Sequence, residues 1–363
     1  MTEYRFYLEK FYNTDEQIQT TNPEQEWYID DSWNNRHFIQ DGKSFWLEKK
    51  NGRTRIDAKS FKFNGDDGVW EGTPTKSDDP TSFRINVATT NNKAWDKKEQ
   101  LKYGVNWKDL AKKRGYIIGP EDFRNFEATI YWKRKGDWIN ETDENRKCNA
   151  QPDQMTIYGR GGLHGADWPE GCLGCCYKGS FDCNKFNKKG KKFGPGSSYF
   201  EKEYHHYSGS KGYAERILQE NSKFAYSGTR DDLFGVNNTI DIDNRWVGEK
   251  LLVYDTNDKI DDGIYAVRSE LWVDKNAEES IRDPTQQDWQ LMNVFIDRGD
   301  KFPPKDDKLA DEMVRECNAM SKTQIFAWGG PLISFRIDCT DVQVKYASIR
   351  EIKKPRTDPP MPN

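Results

Sequence analysis

Apolar and polar side chains alternate with a period of two along almost the whole of this 363-residue chain, and that confines it to a fold built from strands. In NFEATIYWK, Phe126, Ala128, Ile130 and Trp132 fall on one face, with Glu127, Thr129, Tyr131 and Lys133 on the other. The same pattern puts Met155 and Ile157 inward, and Thr156, Tyr158 and Arg160 outward. It recurs in YRFYLEKFY, KSFWLEK, SFRINVA, SSYFEKEYHHY, WVGEKLLVYD, IYAVRSELWVD, DWQLMNVFID, TQIFAWG, LISFRID and DVQVKYASIREI. Gly, Asn, Asp and Pro loops separate these runs, so the expected fold is all-β, a large antiparallel β-sandwich. Helices are expected only at Lys108 to Arg114 and at Asp307 to Lys322, where Leu309, Met313 and Cys317 share a face suited to covering a sheet.

No internal repeat and no linker rich in Pro, Gly or Ser divides the chain. Residues 1–352 therefore read as one sandwich domain, the first hundred residues supplying outer strands, and 353–363 as an extended or disordered tail with four prolines. Apolar residues make up only 34% and mean hydropathy is -1.02, yet aromatic residues reach 13%, which excludes a disordered chain. Trp and Tyr bury large areas while keeping a polar handle, so they serve a core and also pave surfaces that stack on sugar rings. With 56 basic and 60 acidic residues there is no basic field for nucleic acid. No apolar run approaches a membrane span, and MTEYRFYLEKFY has no signal-peptide pattern.

Histidine titrates nearest neutrality, so its clustering is informative. Of four histidines, His164, His205 and His206 lie between Gln154 and His206, with Cys172, Cys175, Cys176 and Cys183 among them. The full set of seven cysteines is odd, and C-x-x-C-C followed by Cys183 fits disulfides or buried thiols closing a loop. It also fits zinc with His164 as a further ligand, although only one C-x-x-C pair is present. Bridged cysteines imply an extracellular or cell-surface setting. Asn140 and Asn237 sit in N-x-T sequons and mark exposed loops.

The segments WVGEKLLVYD, ELWVD, IFAWGGPLISFRID and VQVKYASIREI resemble the strands of concanavalin-A-like jelly rolls in microbial carbohydrate-active proteins. FEATIYWK, QMTIYGRGGLHG and GCLGCCYKG resemble the middle strands of a group with that fold, so the resemblance spans Asn125 to Ile352. It implies a jelly roll that hosts lectins, hydrolases or lyases. Laminarinase-like hydrolases carry E-x-D-x-x-E, which Glu270 with Asp274 and Glu201 with Glu203 do not match. Alginate-lyase-like enzymes carry R-x-E, Q-[IV]-H and Y-x-K-x-G-x-Y strands. Here Arg124 to Glu127 gives R-x-x-E, Gln-Ile-His does not occur, and Tyr177-Lys178-Gly179 is a shortened echo.

Glu127, Tyr131, Lys133, Tyr158, Lys178, Arg268, Glu270, Trp272 and Arg336 are the candidate substrate-binding set. On one concave surface, these cations and rings suit an anionic sugar chain, because guanidinium forks pair with carboxylate while rings stack on pyranose. The competing reading is a solvated sheet with ion pairs such as Arg268 or Arg336 with Glu270. A lyase needs a carboxylate neutraliser, a base for the C5 proton and an acid for the leaving oxygen. Arg160 is the candidate neutraliser, His164 the base with His205 or His206 in reserve, and Tyr204 or Tyr177 the acid. The lysine run KFNKKGKKF reads as a hairpin tip or a funnel for polyanions. DTNDKIDDG, with Asp255, Asn257 and Asp261, resembles a structural calcium loop and equally a hairpin turn; no other cofactor is required. The expected partner is a polysaccharide, with lyase, binding protein and neutral-glycan hydrolase as the competing roles.

Overall fold

The computed structural model describes residues 25–29, 37–40, 43–46, 61–64, 69–73, 81–88, 123–135, 155–161, 176–182, 197–207, 213–220, 244–261, 264–299, 325, 332–338, 341–354 and 358. Its strands are β1 (Gln25–Ile29), β2 (His37–Gln40), β3 (Lys43–Trp46), β4 (Phe61–Asn64), β5 (Val69–Gly72), β6 (Thr81–Ala88), β7 (Phe126–Lys135) and β8 (Thr156–Gly161). They continue with β9 (Cys176–Asp182), β10 (Ser197–Tyr207), β11 (Tyr213–Glu220), β12 (Trp246–Asp261), β13 (Ile264–Asp274), β14 (Trp289–Asp297), β15 (Leu332–Asp338) and β16 (Asp341–Glu351). Among the described residues, one short α-helix, α1 (Ala277–Ser280), lies in the excursion between β13 and β14.

The expected all-β sandwich is what forms. A larger sheet runs β14-β13-β12-β7-β16-β1-β2-β3, with β5 also pairing to β16 and β4 to β5. A smaller sheet runs β11-β10-β9-β8-β15-β6, and every pairing is antiparallel. The early strands thus join both sheets: β1 to β5 extend the larger and β6 closes one edge of the smaller. The expected segments 4–12, 108–114 and 307–322 lie outside the described residues, as does 323–329 apart from buried Ile325. Among the described residues, no helix is long and apolar enough to cross a membrane.

The core lies between the sheets. From the larger sheet come Phe126, Ala128, Ile130, Trp132, Leu251, Val253 and Leu271; from the smaller come Ile157, Phe200, Ile333 and Phe335, all buried. The rings of Phe200 and Phe295 meet across the gap at 6.3 Å. A side chain at Gly159 on β8 would collide with the Phe126 ring of β7, so the bare backbone there lets the two sheets close. Glu249 is also fully buried in this layer and accepts the Trp132 indole N–H at 3.2 Å.

The period of two fails at Arg160. Its φ of 55° accompanies a register shift between β8 and β15, an extra residue on β8 that turns the side chain inward. Arg160 is therefore buried: Nε donates to the Arg124 carbonyl at 2.6 Å, and one terminal nitrogen donates to Asp255 Oδ1 at 2.8 Å. Arg124 Nε takes the other Asp255 oxygen at 2.7 Å, and Asn125 Oδ1 accepts the Asp255 backbone N–H at 2.8 Å. This buried ion pair ties β8 to β12 and to the turn before β7.

Beyond β16, the Lys354 ammonium sits 4.0 Å from the centre of the Tyr265 ring, and Asp358 accepts both the backbone and the side-chain N–H of Asn257. The beginning of the expected tail is thus held against the β12–β13 hairpin.

Candidate functional site

The outer face of the larger sheet, away from the smaller one, carries a polar network on an aromatic floor. Cross-strand register aligns Ser348, Thr129, Lys250 and Trp272 in one row across β16, β7, β12 and β13. On one side of that row stand Arg350, Glu127, Leu252 and Glu270; on the other stand Lys345, Tyr131, Gly248 and Asp274. Alternation along each strand sends these the same way, with an extra residue between Lys345 and Ser348 keeping Lys345 on that face of β16.

Gly248 makes the second of these flanking rows possible. An added Cβ there would lie 2.7 Å from Asp274 Cβ and 2.8 Å from Tyr131 Cε1, so only glycine lets the Tyr131 ring cross β12. The Tyr131 hydroxyl then donates to Asp274 Oδ2 at 2.5 Å. Asp274 also accepts the backbone N–H groups of Asn276 at 2.9 Å and Asp288 at 3.0 Å, which anchors the α1 excursion. Burial nonetheless holds the Asp274 carboxyl above its ordinary range. Around Tyr131, Trp289 and Tyr346 pack edge-on at 5.8 and 6.2 Å. Tyr346 reaches that position because a second bulge, with φ of 53°, interrupts β16 between Lys345 and Ser348.

Two ion pairs fix the opposite side. Arg268 Nε donates to Glu270 Oε1 at 2.6 Å, and Glu270 also accepts from the Tyr254 hydroxyl at 2.9 Å and the Trp272 indole at 3.0 Å. Burial and the adjacent Glu270 raise the Tyr254 hydroxyl far above the usual tyrosine range, so it stays protonated. One Arg350 terminal nitrogen donates to Glu127 Oε1 at 2.9 Å.

Lys250 occupies the middle. It is 1% exposed, and its ammonium sits 4.3 Å from the Trp289 ring centre. Burial lowers its pKa from the usual lysine value, while Glu127, Asp274 and Glu270 act in the opposite sense. A lysine so placed has a larger neutral-amine fraction and can take a proton. Beside it, the buried hydroxyls of Thr129 and Ser348 have no hydrogen-bond partner among the described residues. Lys133 over Trp246 at 5.0 Å, together with Trp272, Leu291 and Lys345, forms a partly exposed rim.

Six expected binding residues, Glu127, Tyr131, Lys133, Arg268, Glu270 and Trp272, share this face. Tyr158, Lys178 and Arg336 do not. They belong to the outer face of the smaller sheet, where Lys178 lies 4.6 Å from the Tyr158 ring centre, and a shared surface with Arg268 is excluded because the sandwich lies between. The expected ion pair forms from Arg268 and Glu270, within one strand.

The expected catalytic set is not assembled on the larger sheet. Arg160 is sealed between the sheets on Asp255, so its expected outward role as carboxylate neutraliser is corrected. Tyr177 also points inward, its hydroxyl donating to Asp297 Oδ2 at 2.6 Å. Tyr204, His205 and His206 fall on β10 of the smaller sheet, opposite Arg216, Glu215 and Ala214 of β11. His164 and the loop with Cys172, Cys175 and Cys183 lie outside the described residues, and Cys176 begins β9.

At the expected calcium loop, Asp255 is committed to two guanidiniums, Asn257 to Asp358, and Asp261 is exposed, so the three do not converge. Among the described residues, no group of three or more His, Cys, Asp or Glu is placed to hold a metal ion.

Lys250 escaped the sequence reading because both faces of WVGEKLLVYD mix polar and apolar residues. The available signal was Trp246, Gly248 and Lys250 at a spacing of two, with Tyr254 four residues further on the same face. The R-x-E spacing sought at Arg124 occurs instead at Arg268-Ser269-Glu270.

No family model matches the sequence, and no curated protein matches it. Among solved structures, the chain is similar to alginate lyase vAL-1 from Chlorella virus, at 10% identity and a TM-score of 0.31, covering 82% of this chain and 88% of that one. It is also similar to a mutant of alginate lyase Aly36B in complex with an alginate trisaccharide, at 8% identity and a TM-score of 0.33, covering 92% of this chain and 100% of that one. Likeness at this level assigns neither a substrate nor a mechanism.

Proposed function

We propose that this chain is a lyase acting on an acidic, uronate-containing polysaccharide at the outer face of its larger sheet. The observation that carries the reading is Lys250, a lysine buried on an aromatic floor whose pKa burial lowers. In the proposed step the neutral Lys250 amine takes the proton from C5 of the uronate. The C5–H electron pair becomes the C4–C5 double bond, the C4–O bond breaks, and the leaving oxygen takes a proton from Tyr131. Arg350 and Arg268, held by Glu127 and Glu270, supply fixed positive charge near the developing enolate. Trp272 at the partly exposed rim offers stacking surface to neighbouring sugars.

The test is incubation of the full chain with a panel of uronate polymers, following ultraviolet absorbance of the unsaturated product. Lys250→Met is expected to lower kcat at least about a hundredfold. The wild-type rate should rise with pH as the amine deprotonates, and the variant should lose that limb. An unchanged rate in the variant overturns Lys250 as base.

The two Arg–Glu pairs, which already match charge within the face, favour a second reading as a non-catalytic polysaccharide-binding surface. Retention on a polymer column without any unsaturated product would establish that reading over the first.

A further inference from the structure

The hydroxyls of Thr129 and Ser348 make no hydrogen bond among the described residues. Both residues are fully buried, and they face each other across β7 and β16. A buried hydroxyl left unsatisfied destabilises a protein, and valine or alanine would remove the penalty without changing the sheet. Lys250 stands one strand further along the same row, about 4.8 Å away at backbone spacing. Arg350 follows Ser348 on the same face of β16. The nearby acids do not repel an anion strongly: Glu127 and Glu270 are matched by Arg350 and Arg268, and burial holds the Asp274 carboxyl toward its neutral form.

We propose that the Thr129 and Ser348 hydroxyls form the subsite for one uronate carboxylate, and that they thereby present the adjacent C5–H to Lys250. Two hydroxyl donors side by side match the two oxygens of a carboxylate, and C5 is the atom bonded to that carboxylate carbon. One strand spacing then brings C5–H toward the Lys250 amine. The row is partly exposed at its far end, at Trp272 and Leu291, where the rest of the polymer chain would leave the site. The subsite rests on the polysaccharide reading above and names which group of the sugar is held, and by what.

The experiment uses the full chain with glucuronate as probe and glucose as neutral control, followed by fluorescence of the tryptophans around Lys250, alongside thermal melts. Glucuronate and not glucose is expected to bind. Thr129→Val and Ser348→Ala should each weaken glucuronate binding about tenfold, the loss expected for one hydrogen bond to a charged group. Each should also raise the melting temperature of the unliganded chain, since an unsatisfied buried group has gone. Thr129→Ser, which keeps the hydroxyl, should bind like wild type. With polymer, the double variant should raise KM and lower kcat together.

Wild-type affinity in the double variant, or no glucuronate binding at all, overturns the subsite. Undiminished polymer cleavage by that variant overturns it too, while leaving the lyase reading intact. Hydroxyl-dependent glucuronate binding without any unsaturated product has the opposite meaning: the subsite stands and the lyase reading falls.

Discussion

Gly248 illustrates how one residue sets the geometry of the outer face. Tyr131 reaches Asp274 only because nothing projects from β12 between them. Gly248→Ala should cost about 2 kcal/mol through overpacking, read as a lower denaturation midpoint, and should lower activity further by moving the Tyr131 hydroxyl off Asp274. At this scale the sequence was partly legible. Alternation correctly put Glu127, Tyr131, Lys133, Arg268, Glu270 and Trp272 on outward faces, because each strand obeys a period of two. It did the same for Tyr158 and Arg336, yet alternation distinguishes in from out and not one sheet from the other. Thr129 and Ser348 were illegible as a pair, since their significance comes from meeting across two strands more than 200 residues apart in sequence.

Elements bring bulges into play. The strands IYAVRSELWVD, LISFRID and SSYFEKEYHHY begin and end where their hydrophobic pattern does. Alternation picked out neither β9 nor β11, and β9 was expected only from the resemblance of GCLGCCYKG to a middle strand: Cys176–Asp182 contains a central glycine, and Tyr213–Glu220 is written in helix formers but takes strand form against β10. Arg160 was misread because the bulge in β8 inserts one residue and inverts the parity after it. Its neighbours Gly159 and Gly161 were the visible hint. Arg160→Met should leave Asp255 with Arg124 as its remaining guanidinium partner and cost about 3 kcal/mol, measured by urea denaturation. Loss of activity in that variant would reflect this lost anchor, and Arg160→Lys should recover only part of the stability because the guanidinium fork is gone.

Across the whole molecule, pH response follows from how the sheet edges are tied. Glu71 on β5 accepts from Lys135 on β7 at 2.7 Å and from Gln343 on β16 at 2.9 Å, and these bonds hold its carboxyl down at about 2. A folded value below the unfolded 4.5 means that this contribution is complete above 4.5 and disappears as pH falls toward about 2. Lys250 acts with its own sign: its folded value lies below 10.5, so the folded chain binds fewer protons and stability rises with pH through that window. Denaturation midpoints of Glu71→Gln and wild type should therefore differ at neutral pH and converge in acid. Lys250→Met should flatten the alkaline slope. None of this was legible in the sequence, because the order of strands within each sheet is a long-range property that local pattern does not encode.

The position of the last two strands has a consequence for how the protein is made. β16 lies between β7 and β1 in the larger sheet, and β15 lies between β8 and β6 in the smaller. A nascent chain still lacking residues 332–351 therefore holds the larger sheet as three unconnected pieces, β14-β13-β12-β7, β1-β2-β3 and β4-β5, and leaves β6 apart from the rest of the smaller sheet, with the strand edges that will flank β15 and β16 open to other chains. Assembly must wait for the ribosome to release the segment that bridges both gaps, and such late long-range closure folds slowly. Chaperones that shield those edges during translation should raise the yield of folded protein more than any change to its surface.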